Sequence, residues 1–385
     1  MTATTLSANR PATRLATRLA FLAAGFAMSS WAPLVPYARA RLGVDDATLG
    51  LLLLCLGIGS VTAMPTIAPL SGRFGTRSVI LAGGLGMAAA LPLLATVSTV
   101  PTLALALLLF GASLGTIDVA MNVHAVAVER ESGQPLMSGF HGLFSVGGFA
   151  GSGGMTLLLA AGLPPLAAAT LCTALVLLAL TMAAPRLLST RAAEGERAPL
   201  FVRPHGIVLL LGVLALVTFL TEGALLDWGA LLLTDDRGFA AAQAGLGYTL
   251  FSLAMTAGRL TGDRVVAALG VRRVMIWGGL TAVAGIIAVL LAPLHILTLG
   301  GFLLIGLGAA NLVPVLFSAA GRQTVMPPAL AVAGMTAIGY AGMLGGPALI
   351  GFIAHVVGLP AAFALLAALM MLVPLTARAV SQANG

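Results

Sequence analysis

The chain has 385 residues, of which 59% are hydrophobic and 8% charged, with a mean hydropathy of +1.07. This composition excludes a water-soluble globular domain. The formal net charge is +7 and every basic residue is an arginine, but the arginines stand between apolar runs and not on one amphipathic face, which excludes a nucleic-acid surface.

A helix needs about 20 apolar residues to cross the hydrocarbon core. That length divides the chain into twelve predicted spans, at 17–39, 47–70, 78–97, 101–128, 137–161, 165–184, 206–233, 241–261, 273–292, 295–320, 328–356 and 360–377. Before the first span, Arg10, Arg14 and Arg18 together with Ala38-Arg39-Ala40 imitate a secretory signal and its cleavage site. Trp31, Pro33 and Pro36 inside the run, and the need for an even number of helices, favour a retained first span. Trp31 is a cavity donor if it faces inward. Between the second and third spans stands PLSGRFGTRSVILAGG, with Arg73 and Arg77.

The fourth span contains LGTIDVAMNVHAVAVER, residues 114–130, with Asp118 and, one turn on, Asn122. An ionised aspartate at the bilayer centre costs at least ~2.5–3.5 kcal/mol on insertion scales, so such a residue faces the bundle interior or water and is a functional candidate. The bland alternative is a permanently protonated acid bonded to a neighbouring helix. His124 and His141, near the ends of the fourth and fifth spans, read as hydrogen-bonded structural histidines ahead of proton relays. The longest polar interval, PRLLSTRAAEGERAPLFVRPH at 185–205, divides the spans six and six. It defines a first bundle over 1–184, a cytoplasmic linker over 185–205 and a second bundle over 206–385.

The seventh span carries TEGALLDWGALLL, with Glu222 near its middle and Asp227 about two turns further. Trp228 either stacks on a sugar face or belongs to the interfacial aromatic belt. After the eighth span, GRLTGDRVVAALGVRR holds Asp263, Arg264, Arg272 and Arg273. An acid at a helix end can pair with a neighbouring arginine or a helix N-terminus and favour one of two bundle arrangements. Asn311 in the tenth span and Tyr340 in the eleventh are further cavity donors.

Placing the N-terminus in the cytoplasm leaves Arg39, Arg41 and Arg237 outside and the other 16 of 19 arginines inside, the asymmetry of the positive-inside rule. Both termini are then cytoplasmic. Shifting the sequence by 195 residues superposes Gly75, Arg77, Val79, Gly83 and Gly84 on Gly270, Arg272, Val274, Gly278 and Gly279. The same shift takes Leu108, Leu109 and Gly111 to Leu303, Leu304 and Gly306, and Gly139, Gly147 and Gly151 to Gly334, Gly342 and Gly346. A constant offset across separate helices points to two related six-helix halves, an all-α polytopic membrane fold with pseudo-symmetry.

Over its whole length the sequence resembles a major facilitator superfamily (MFS) transporter. The copy beginning at Gly258 matches the family's loop motif with a longer spacer, whereas the first-half copy has Gly72 where the acid is expected before Arg73. GASLGTIDVAMNVHA and TEGALLDWGALLL are similar to the fucose-permease-like and YbjJ-type bacterial permeases. That resemblance implies proton-coupled movement of a small polar solute, with Asp118 and Asn122 in the positions of the family's acid and asparagine. The first-helix acid of the fucose permease has no counterpart in FLAAGFAMSSWAPLVP. The fourth span lacks the arginine, and GGFAGSGG the proline, of drug-proton antiporters, which lowers the efflux alternative.

No nucleophile elbow, H-E-x-x-H, Cys/His cluster or Walker loop is present in the sequence, so the expectation is a non-enzyme without catalytic residues, metal or cofactor beyond a coupling proton. The expected partners are a small-molecule substrate and the lipid bilayer, the expected state a monomer, and the expected location the bacterial inner membrane. Efflux of a drug or metabolite, or a non-transporting membrane sensor, stand as alternatives.

Overall fold

The computed structural model describes residues 11–189, 203–240, 243 and 245–383. The middle of the expected linker, with Arg191 and Arg197, lies outside the described residues, as does Arg10. Twelve long helices follow in chain order: α1 (Pro11–Leu42), α2 (Thr48–Phe74), α3 (Thr76–Thr96), α4 (Val100–Ser132), α5 (Met137–Ala160), α6 (Pro165–Arg186), α7 (Ile207–Asp236), α8 (Leu246–Leu269), α9 (Val271–Leu291), α10 (His295–Arg322), α11 (Pro328–Val357) and α12 (Leu359–Ala383). Among the described residues eleven of them are long and apolar enough to cross a membrane. The exception is α8, which is 24 residues long but carries Arg259, Asp263 and Arg264.

Local chemistry sets the breaks. Thr99 starts α4 with a capping box, its hydroxyl accepting from the Thr102 N–H while the Thr102 hydroxyl accepts from the Thr99 N–H. Asp45 caps the next helix start, accepting from the Thr48 N–H at 2.8 Å, and these hydrogen bonds hold its carboxyl below the usual aspartate range. Pro33 and Pro65 stand where α1 and α2 pass through short 3₁₀ turns. The α2–α3 and α8–α9 reversals are made by Gly75 and Gly270, at φ 85° and 76°, a region that strains any L side chain. The helix α8 therefore continues to Leu269, eight residues beyond its expected end at 261. The Asp263-Arg264 pair lies on that helix and not in a loop.

The helices form two compact units, one of Met1–Gly133 and Leu143–Val202, the other of Gln134–Gly142 and Arg203–Gly385. Within the first, α2 and α3 pack on α4, and α1 and α3 on α6. Within the second, α8 and α9 pack on α10, and α7 on α11. The 195-residue repeat recurs as packing in each. A Cβ on Gly111 of α4 would stand 1.8 Å from the Leu56 carbonyl oxygen, and one on Gly306 of α10 would stand 2.3 Å from that of Phe251, which is Leu56 shifted by 195. Backbones approach this closely because lipid provides no hydrophobic drive and contact area must come from small residues.

The same equivalence holds at helix ends. Arg41 donates to the carbonyls of Leu94, Ala95 and Val97 at the end of α3, at 2.8–2.9 Å. Arg237 donates to those of Leu290 and Ala292 at the end of α9. Ala95 and Val97 shifted by 195 are Leu290 and Ala292. A cation there satisfies orphan carbonyls and the negative end of the helix dipole.

Candidate functional site

In the first unit the polar centre is on α4. Asp118 is 7% exposed and Asn122 fully buried, one turn apart on one face. The Asn122 amide donates to the Asp118 backbone carbonyl at 2.9 Å and to its carboxylate Oδ1 at 3.3 Å. Position 118 lies 18 residues into a 33-residue helix, so the carboxyl is about 27 Å along it, close to its midpoint. Trp31 is 5% exposed, and its indole Nε1 is buried without a hydrogen-bond partner. An unsatisfied buried donor costs ~1–3 kcal/mol. A solute acceptor would remove that cost.

His124, two residues beyond Asn122, is committed elsewhere. Its Nε2 accepts from the Leu188 backbone N–H at 2.9 Å, so the ring proton is on Nδ1 and points to the Thr17 hydroxyl at 3.3 Å. Thr17 in turn donates to the Thr13 carbonyl. The ring thus ties α1, α4 and the segment after α6 together.

In the second unit the centre is a charge pair that sequence reading missed. Arg259 Nη2 of α8 meets Glu222 Oε1 of α7 at 3.3 Å, with side-chain exposures of 10% and 19%. Arg259 was expected among the cytoplasmic arginines; it stands instead ten residues before the end of α8, about 15 Å into the helix. Its Nε donates to the Ala310 carbonyl at 3.4 Å. That carbonyl is available because its helical partner would be the N–H of residue 314, which is a proline. The helix α10 is consequently broken at Ala310 and Asn311. Asn311 is 8% exposed; its Nδ2 donates to the Gly258 carbonyl at 3.3 Å while its buried Oδ1 has no partner.

The remaining predicted residues divide. Tyr340 packs edge-on against Phe219 at 5.8 Å, one turn before Glu222 on α7. Among the described residues, Asp227 is exposed and makes no ion pair with Arg259. Trp228 lies against α11, where a Cβ on Gly351 would meet its ring at 2.6 Å, so its ring is spent on helix packing. Asp263 Oδ1 accepts from the Gly139 N–H at 3.0 Å, within the first turn of α5. Of the two partners expected for a helix-end acid, this contact is the helix N-terminus. Arg264, Arg272 and Arg273 are exposed, Arg77 is half-buried, and Arg73 is exposed with its guanidinium 5.0 Å above the Phe74 ring.

The Major Facilitator Superfamily model matches residues 19–233, more than half of the chain. The chain belongs to the major facilitator superfamily. It is 51% identical over 369 residues to an uncharacterized MFS-type transporter of Yersinia pestis, covering 96% of each chain. It is 33% identical to the membrane protein MosC of Rhizobium meliloti, covering 88% of this chain and 83% of that one. Among solved structures it is similar to a variant of the E. coli fucose:proton symporter FucP, with a TM-score of 0.75 at 17% identity, covering 98% of this chain and all of that one. As an MFS transporter it is a multi-pass membrane protein that moves solutes and does not transform them. For such a protein the signal that would have found Arg259 was available: an arginine flanked by AMTAG and LTG is too deep in an apolar run to be a loop anchor.

Proposed function

We propose that this MFS transporter is a proton-coupled secondary transporter of a small polar solute, working by alternating access in the bacterial cytoplasmic membrane with both termini cytoplasmic. The observation that carries the reading is the buried Asp118–Asn122 pair in the middle of α4. A carboxyl so placed is tolerable when protonated and costly when ionised. Exposed alternately to two sides of different proton activity, it picks up a proton on one and releases it on the other, while the Asn122 amide holds the carboxyl oxygen. In the same unit, Trp31 Nε1 is an unfilled donor for the solute. The same fold carries a fucose:proton symporter in E. coli, which makes the mechanism one that this architecture accommodates.

The test is Asp118→Asn in proteoliposomes, with a solute first found by thermal-shift screening of the parent. The variant is expected to keep solute counterflow and to lose accumulation driven by an imposed pH gradient. Gradient-driven accumulation at the parent's level would remove Asp118 from the proton path. No flux of any screened solute in either direction would overturn the transporter mechanism itself.

A further inference from the structure

The pair in the second unit has the geometry of an exchange site and not of a fixed brace. A buried ion pair offsets its desolvation only with excellent geometry, and tight charge-assisted contacts lie at about 2.7–2.9 Å. Arg259 and Glu222 meet at 3.3 Å, and both keep part of their side chains exposed at mid-helix depth. Arg259 is steadied from elsewhere, by the carbonyl that Pro314 frees at the break in α10. Broken helices at mid-membrane are where transporters present backbone groups to cargo. At this break the neighbouring Asn311 Oδ1 is buried without a partner, aimed at Gly262, where a Cβ would stand 1.8 Å away. That oxygen lacks a donor, and Gly262 closes the side it faces.

We infer that Arg259 is the docking point for a carboxylate on the transported solute, taken up when Glu222 accepts a proton and lets go of the guanidinium. The inference rests on the transporter reading and names its substrate class: a small organic anion. The balance is simple. Glu222 gains one proton and becomes a neutral acid; the solute carboxylate replaces it on Arg259; the site's net charge stays zero. At this site one proton and one negative charge are carried together; with the proton on Asp118 the full cycle moves one net positive charge, and release reverses each step. The ionisable groups within reach are Tyr248 of α8, Asp227 of α7 and His141 at the start of α5. Tyr340 of α11 lies a turn away beside Phe219. His295 and Arg322 of α10, His355 of α11 and Arg378 of α12 lie towards helix ends.

The experiment measures thermal unfolding of the purified full chain with formate, gluconate and galacturonate, against the neutral glucose and galactose. The carboxylates are expected to raise the melting temperature, more at mildly acidic than at alkaline pH, while the neutral sugars do not. Glu222→Gln is expected to keep the carboxylate response and lose its pH dependence. The double variant Glu222→Gln/Arg259→Gln removes both charges, leaves no buried ion unpaired, and is expected to weaken carboxylate binding about tenfold or more. Equal response to the neutral sugars, no response to any carboxylate including formate, or an undiminished response in the double variant overturns the inference. In liposomes, uptake of a bound carboxylate should follow the pH gradient and rise with an inside-negative potassium diffusion potential. Gradient-driven uptake of a neutral solute alone would sink the anion site and keep the transporter, whereas carboxylate binding without flux would do the reverse.

Discussion

At the scale of single residues, two buried polar groups on one helix have different fates, and their partners decide which. Asp118 accepts from the Asn122 amide one turn further along its own helix, near the middle of the span. His124, six residues on, has both ring nitrogens engaged by groups from other segments. His124→Ala should therefore lower stability by about 1–3 kcal/mol, the cost of leaving the Leu188 N–H unsatisfied, and leave the pH dependence of transport as it was. Thermal unfolding and gradient-driven uptake of the variant check both halves; an altered pH profile would place His124 on the proton path. Asp45 at the start of α2 has a milder, solvent-facing role. Its carboxyl is held below its ordinary range by Thr48, so its contribution to the cap is present above that range and fades as pH falls through it.

At the scale of elements, periodicity and length were enough to place the twelve helices, because an apolar run of about 20 residues admits few other readings. Asp118 and Asn122 were legible for the same reason, as a polar pair at helical spacing inside such a run. Three features were not. The end of α8 was placed too early because GRLTGDRVVAALGVRR reads as the family's loop motif, although the helix has no reason to stop before the positive φ of Gly270. Arg259 was read as a topology anchor by the same error. The break in α10 was hidden because Pro314 lies inside an apolar run, where proline is common enough to pass unremarked, and its effect falls four residues earlier, at Ala310. Restoring that hydrogen bond gives a direct test of the element. Pro314→Ala should raise the melting temperature, by mending α10, and reduce transport, by withdrawing the Ala310 carbonyl from Arg259. A variant that transports as fast as the parent would show that the break is not needed. In the opposite sense, Gly111→Ala in α4 or Gly306→Ala in α10 should destabilise by about 1–3 kcal/mol, because the added methyl meets backbone and not a flexible side chain.

At the scale of the whole molecule, the repeat has been kept where it builds scaffold and lost where it does chemistry. Glycine contacts, the positive-φ turns and the arginine-held ends of α3 and α9 recur at the same offset. Asp118 shifted by 195 is Val313, while Glu222 and Arg259 shifted back are Ala27 and Met64. Each unit thus presents its own charge: the proposed proton site at Asp118 in one, the proposed proton-linked anion exchange at Glu222 and Arg259 in the other. The proposed orientation of that frame rests on the arginines. Moving Arg259 from the cytoplasmic count into the membrane leaves 15 of 19 on that side and three opposite, so the asymmetry stands. Two of those three, Arg41 and Arg237, are bound to helix-end carbonyls, which accounts for basic residues on the side the rule disfavours. Fusions to green fluorescent protein after Gly385 should therefore fluoresce, and alkaline phosphatase placed there should be inactive. Fused after Gly43 or Ala292, at turns on the expected outer side, phosphatase should be active and the fluorescent protein dark. The reverse pattern would invert the topology, and with it the side from which Glu222 and Asp118 take their protons.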